Sequence, residues 1–384
     1  RNDSSPGHVR FTNVSDQVCP ALKNIGMVCD AAWTDFDNDG WPDLIIVGEW
    51  MPIRFFHNNH GKLQDVTDAS GIQSQAGWWT SIAAGDFDND GDIDYIVGNL
   101  GENSFFRASD EHPVSIYTKD FDNNGSVDAV LSLYLKDQKG AMREFPAINR
   151  DELMSQLPAL KKKFLTYKSF GDADIHQVFT DEQLKGATVL RANNFASCLL
   201  RNNGSGKFSL EPLPLMAQLA PLDGLVVEDL NGDGNLDVAI SGNDYGNEVS
   251  GGRYDAMNGL LLLGDGKGGF STVSLEKSGM FIPGDAKALV KLRASGGNLL
   301  IAGSQNRGPL KLFSQVADRG QTLPLQRGDQ AILVTLKDGR KRRDEAYMGS
   351  SFLSQSSSWL LVTPAMKSAE IIETGGHKRQ VNFQ

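Results

Sequence analysis

A nine-residue pattern, Asp-x-Asp/Asn-x-Asp/Asn-Gly-x-x-Asp, recurs four times along the chain. The first copy holds Asp35, Asp37, Asp39, Gly40, Trp41 and Asp43, and the second Asp86, Asp88, Asp90, Gly91, Asp92 and Asp94. The third holds Asp120, Asp122, Asn124, Gly125, Ser126 and Asp128, and the fourth Asp229, Asn231, Asp233, Gly234, Asn235 and Asp237. Calcium is a hard cation that takes roughly six to eight oxygens at about 2.3–2.6 Å. Short carboxylate or amide side chains at positions 1, 3 and 5 of a tight turn can converge on one such ion. Glycine at position 6 permits the sharp bend. Position 7 is expected to offer its backbone carbonyl, so Trp41, Asp92, Ser126 and Asn235 can differ. Aspartate at position 9 closes the shell.

An EF-hand would need glutamate at position 12 and helices on both sides. Position 12 here is Ile46, Val97, Leu131 or Ile240, inside short apolar runs such as Leu44-Ile-Ile-Val47 and Val238-Ala-Ile240. Each loop therefore opens a buried strand. An acidic surface turn without metal is the plainer reading of one such loop. Four copies favour metal, because clustered carboxylates repel without a cation. The ions are expected to be structural, since each loop supplies all its own side-chain ligands.

The loops begin at residues 35, 86, 120 and 229, and 284–303 reads as a copy that has lost the acidic loop but kept its strands. Between them runs a second element, an apolar strand, an Asn/Gly turn and a further strand. It appears at Phe55–Leu63, Leu199–Phe208 and Leu261–Phe270. One loop and one such hairpin make about four strands, the unit of a propeller blade. The short interval between the second and third loops predicts a trimmed blade. The long interval to the fourth predicts an insertion at about 145–186, where Leu153, Leu157, Leu160 and Phe164 keep helical spacing and Pro158 divides two helices. Lys161, Lys162 and Lys163 read as a solvated helix face, with a partner-binding patch as the alternative. Beyond residue 320 the loops cease, and a small β domain is expected over 321–384.

The net charge of −11 is mostly that of the fourteen carboxylates in the loops, and four divalent ions would cancel most of it. It argues against nucleic acid as a partner. No apolar run is long enough to span a membrane. The start, Arg-Asn-Asp-Ser-Ser-Pro, resembles a processed chain or a piece of a longer one, without a signal peptide. Cys19 and Cys29 could form a local disulfide or remain buried thiols, as Cys198 could. Calcium loops of modest affinity suit a compartment outside the cytosol.

The loops with their Phe-Asp-Asn-Asp-Gly core resemble FG-GAP/VCBS repeats, the calcium-binding blades of integrin-like β-propellers. The stretch from Glu345 through Tyr347, Gly349 and Phe352 to Gln355 resembles the ASPIC/UnbV domain of secreted proteins. The stretches Gly48–Pro52 and Gly242–Asp255 look like a branch common in Bacteroidetes surface proteins. The resemblance implies an all-β fold: a propeller over 1–320, with a small helical insertion and a C-terminal β domain. It also implies about four structural Ca²⁺ sites and an extracytoplasmic location, secreted or on the outer surface of a Gram-negative bacterium. The literal Phe-Gly and Gly-Ala-Pro signature is absent, and about five blades are visible where seven are typical.

The long polar connection at 243–258 is the candidate ligand site, because long loops on rigid scaffolds carry binding groups. It offers Asp244, Tyr245, Asn247, Glu248, Arg253, Tyr254 and Asp255. The alternative is a self-packed loop in which Arg253 pairs with Asp255 or Glu248. Trp41, Trp50, Trp78 and Trp79 read as inter-blade packing or a glycan platform. His57, His60 and His112 are taken as neither catalytic nor metal-binding. No Ser-His-Asp, Cys-His or His-Glu-x-x-His arrangement can be assembled. The expected function is a non-enzymatic binding or adhesion module for a glycan or protein at the cell surface. The alternatives are a carbohydrate-active lyase or hydrolase with its site in the funnel, and a structural segment of a larger secreted protein.

Overall fold

The computed structural model describes residues 1–247, 251–295, 297–314, 321–347 and 349–383. It is built mostly of antiparallel sheet, as expected. The first sheet runs β1 (Met27–Thr34), β2 (Asp43–Pro52), β3 (Arg54–Asn59) and β4 (Lys62–Asp65), with β5 (Ala76–Trp78) added beside β2. The second sheet starts with β6 (Ser81–Gly85) and β7 (Asp94–Gly98) and is then interrupted. The interruption contains a sheet of its own: β8 (Val114–Lys119), β9 (Asp128–Lys136), β10 (Met142–Pro146) and β11 (Thr188–Ala192). The chain returns to complete the second sheet with β12 (Cys198–Asn202) and β13 (Phe208–Pro212), and Cys198 pairs with Val97.

This topology corrects the sequence reading in two ways. The second sheet is not trimmed; its two halves are separated in sequence. The insertion is not confined to 145–186, because the whole third-loop sheet lies inside it, together with helices at Arg150–Gln156 and Leu160–Lys163. Pro158 separates those two helices, and Leu153, Leu157, Leu160 and Phe164 form the insert core. The three lysines are exposed.

Two more sheets follow. One is the meander β14 (Leu222–Glu228), β15 (Asp237–Gly242), β16 (Leu260–Gly264) and β17 (Phe270–Val273). The other is β18 (Ala286–Arg293), β19 (Leu299–Gln305) and β20 (Lys311–Ser314), the copy without the acidic loop. The C-terminal part adds β21 (Gln321–Pro324), β22 (Asp329–Leu336), β23 (Lys341–Glu345), β24 (Trp359–Val362), β25 (Met366–Glu373) and β26 (Lys378–Asn382). Of these, β22, β23, β25 and β26 form one sheet, and β21 pairs with β24.

The inner strands β1, β6, β14 and β18 stand side by side in that order. Their starts are level: Asp30 Oδ2 accepts the Ile82 N–H at 3.0 Å, and the Ser81 hydroxyl donates to the Leu222 carbonyl at 2.7 Å. Their far ends carry the first, second and fourth loops. The four sheets thus fan out from one axis, with no closed ring among the described residues. The second strands β2, β7 and β15 are buried almost throughout because neighbouring sheets cover both faces. The largest core joins the first two sheets, with Phe36, Ile45 and Phe55 meeting Ile82, Tyr95, Leu200 and Phe208.

The C-terminal chain lies along the axis. Ser351 Oγ accepts the Leu225 N–H and donates to the Asp223 carbonyl, both at 2.9 Å. Ser354 and Ser356 hydroxyls accept N–H groups of Leu289 and Lys291, at 3.3 and 3.1 Å. A residual cavity of about 110 Å³ remains between this segment and the inner strands. Leu200 is fully buried on the strand that re-enters after the insertion. Leu200→Ala is expected to cost about 2–5 kcal/mol in denaturant unfolding. A loss under about 0.5 kcal/mol, typical of surface changes, would mean that β12 does not share this core.

Candidate functional site

The four loops fold as the nine-residue pattern requires. Position 4 (Asn38, Asn89, Asn123, Gly232) and the glycine at position 6 all have positive φ, between 57° and 97°. Position 1 accepts at least two backbone N–H bonds from within its loop; in the first, Asp39 and Gly40 donate to Asp35 at 2.9 and 3.1 Å. The N–H of Trp41 donates to Asp39 Oδ1 at 2.7 Å. Equivalent bonds hold Asp86, Asp120 and Asp229. These bonds prearrange the side chains before any ion arrives.

Position 9 ties the loop to its sheet. One oxygen of Asp43, Asp94 and Asp237 accepts the position-2 N–H, from Phe36, Phe87 and Leu230. The other accepts an N–H from the third strand or its end, from Asn58, Asn202 and Gly264, at 2.7, 2.8 and 3.0 Å. Asp128 accepts from Phe121 in the same way.

The loops are also linked to one another. Asn38 of the first donates to Asp92 of the second at 2.6 Å, and Asn89 of the second reaches Asn235 of the fourth at 3.5 Å. Position 4 of one loop thus meets position 7 of the next. The third loop stands apart on the inserted sheet. Its Asp120, Asp122 and Asn124 are at the surface, and backbone N–H bonds led by Gly125 hold Asp120 below the usual range.

The donor set fits a hard divalent ion. Ligand atoms of Asp35, Asp37 and Asp39, of Asp86, Asp88 and Asp90, and of Asp120, Asp122 and Asp128 each lie within 4.8 Å of one another. Asp88 Oδ1 is buried without a hydrogen-bond partner. The fourth loop keeps the backbone pattern, but its Asn231 donates to Asp233 at 3.0 Å, and no three acidic groups among the described residues converge there. Sequence reasoning passed over His57. Its Nδ1 lies 3.0 Å from Asp37 and 3.3 Å from Asp43 without hydrogen-bond geometry to either, so it joins the first cluster. The turn at 57–61 brings it there from β3, which spacing within the loop could not reveal.

Burial raises the position-9 carboxyls, Asp43 and Asp237 to about 7 and Asp94 to about 8, and it raises Asp86 to about 7. Nearby loop carboxylates push in the same direction. Between the ordinary value of 3.8 and these values, the folded chain without cation binds protons that the unfolded chain does not. Its stability therefore falls as pH rises through that window. A bound cation opposes this by favouring the charged form.

The second candidate site lies at the opposite end of the axis, at the starts of the inner strands. β1, β14 and β18 each carry a register shift there, between Val28 and Asp30, Leu222 and Gly224, and Ala286 and Leu289. A bulge re-aims the extra side chain. Cys29, Asp223 and Lys287, the residues within those shifts, line a cavity of about 540 Å³. Glu49, Trp50, Trp78, Phe106 and Tyr254 line it too, the inserted sheet adds Ile116 and Leu131, and Phe352 of the axial segment adds its ring.

Lys287 Nζ lies 3.2 Å from both Asp223 and Asp285 and donates to the Asn243 carbonyl at 2.8 Å. Burial raises Asp223 to about 7 even so. Burial, then the Asp244 charge, raises Glu49. Burial and the Glu49 charge push the Cys29 thiol up to about 11. All three cysteines are free.

The predicted 243–258 loop contributes only in part. Asp244 and Tyr254 exchange backbone hydrogen bonds at 2.8 and 2.9 Å, and both face the cavity with Asn247. Tyr245 lies outside it, under the Arg253 guanidinium at 4.7 Å, and donates to the Pro283 carbonyl at 3.2 Å. Arg253 and Asp255 are exposed, and Arg253 sits on the Tyr245 ring. Glu248 lies outside the described residues. The tryptophans divide: Trp50 and Trp78 meet at 5.0 Å beside the cavity, Trp79 is in the core, and Trp41 is exposed against His60. Glu49, Asp223 and Lys287 were missed as ligand-site residues because each lies inside a strand pattern.

Residues 35–97 match a family described as an FG-GAP-like repeat, which covers the first two loops. No curated protein matches the chain. Among solved structures, the chain is similar to the V. cholerae biofilm matrix protein Bap1 in its crystal structure. The identity is 12% over 93% of this chain and 48% of that one, with a TM-score of 0.19. The chain thus spans about half the length of that protein.

Two outcomes test the metal loops. Asp88→Ala should lower the melting temperature in millimolar calcium and shrink the difference between calcium and chelator; an unchanged melt would remove Asp88 from the ligand set. In wild type, that difference should narrow between about pH 8 and about pH 6, because protons replace the cation on the raised carboxyls. A difference independent of pH would dissociate these carboxyls from metal binding.

Proposed function

We propose that the chain is a calcium-stabilised, propeller-type repeat module that acts outside the cytosol as a non-enzymatic binding protein, taking a glycan in the axial cavity. The observation that carries this reading is the cavity itself. Its volume of about 540 Å³ falls within the usual range for small-molecule sites, and it combines aromatic walls with a few convergent polar groups. Trp50, Trp78 and Tyr254 offer faces for stacking on a sugar, and Glu49, Asp244 and Asn247 offer hydrogen-bond partners.

Calcium would sit in the loops, held by Asp35, Asp37, Asp39 and Asp43 and their counterparts, and would neutralise the buried carboxylates. Its role is to brace the end of the fan away from the ligand. The FG-GAP-like match over the first two loops supports this assignment. The reading extends to an ASPIC/UnbV-like C-terminal region over 321–384. None of the helices described is long and apolar enough to cross a membrane.

The carboxylates around the cavity keep one alternative specific, a carbohydrate-active enzyme that uses Glu49 as its acid. A glycan array read with wild type and with Trp50→Ala separates the cases. Binding that the variant loses, with no product released from the bound glycan, is the expected result. Product release that Glu49→Gln abolishes would make the protein an enzyme. Wild-type signal no different from that of the variant would remove the cavity as the ligand site.

A further inference from the structure

We propose that the axial cavity selects a saccharide bearing a protonated amine over its neutral or acidic counterparts. This rests on the glycan-binding reading above and adds the charge of the ligand. Among the described residues, the charged ones lining the cavity are Glu49, Asp223, Asp244 and Lys287, three carboxylates against one ammonium. That ammonium is already engaged. Lys287 Nζ is 3.2 Å from Asp223 Oδ2 and 3.2 Å from Asp285 Oδ1, and it lies 3.6 Å from Asp244 Oδ1.

Glu49 is left over. Its half-buried carboxylate has no hydrogen bond or ion pair recorded among the described residues. The Asp244 charge lies close enough to Glu49 to act on it. A carboxylate in a partly dry site costs free energy unless a cation meets it. A ligand ammonium would supply the missing charge, whereas a uronate would add repulsion.

The aromatic walls favour the same ligand. Trp50 and Trp78 are tilted by 59° with centroids 5.0 Å apart, and Trp78 and Phe106 by 71° at 5.1 Å. Rings set at such angles form a corner and not a closed sandwich. A corner presents faces to one side of a sugar ring, and aromatic faces attract a neighbouring cation.

The test is calorimetric titration of the full chain, in calcium, with the β-1,4-linked glucosamine disaccharide, its N-acetylated twin and cellobiose. The amine should bind about tenfold tighter than either neutral disaccharide, the expected scale for a hydrogen bond to a charged group. Glu49→Gln should bring that ratio close to one, and Asp244→Asn should lower it as a second variant. Equal affinity for all three sugars would overturn the charge selection and leave the glycan reading standing. Absence of binding by any of them would overturn both. Tighter binding of Nα-acetyl-lysine methylamide than of the glucosamine disaccharide would overturn the saccharide assignment.

Discussion

A single buried carboxylate ties loop to sheet at the end of the first, second and fourth loops. Asp43 and Asp94 each accept one N–H from their own loop and Asp237 accepts two, and each accepts another from the third strand or its end. Loop, second strand and third strand are thereby tied at one buried point. Charge-assisted bonds of this kind are strong, but the group must be taken out of water to make them. Its raised proton affinity records that cost. A cation at the loop would offset it.

The same loop end is where the C-terminal chain docks. Arg343 donates its backbone N–H to Asp86 and its guanidinium to Asp35, both at 2.9 Å. Thr363 donates to Asp229 at 2.7 Å, and the buried Arg342 donates to the Gly234 carbonyl at 2.9 Å. Position 1 of three neighbouring loops therefore faces residues more than a hundred positions away. From there the chain follows the axis to Phe352, which lines the far cavity. The C-terminal region thus contributes residues at both the loop end and the cavity end of the fan.

Much of the local structure was legible. The Asn/Gly turns at 58–61 and 202–206 lie between paired strands as expected, because positive φ at His60, Gly61, Ser205 and Gly206 leaves few other conformations. The copy at 284–303, which lacks the acidic loop, still forms β18 and β19, because its apolar residues suffice to pair. The split of the second sheet was hidden. Interval lengths count residues, and the Val97–Cys198 pairing across the insertion leaves no mark in spacing.

What the chain determined by itself was the loop: four sets of oxygen-bearing residues within nine positions, each bent by a glycine and followed by a strand. Such chemistry is local, since every side-chain donor belongs to one turn. The convergence of Cys29, Asp223 and Lys287 on one cavity, the addition of His57 to the first cluster and the axial course of residues 349–358 were decided only by tertiary structure. Bulges redirect side chains by a shift in pairing with a partner strand, and no single strand contains the information about where that partner will lie.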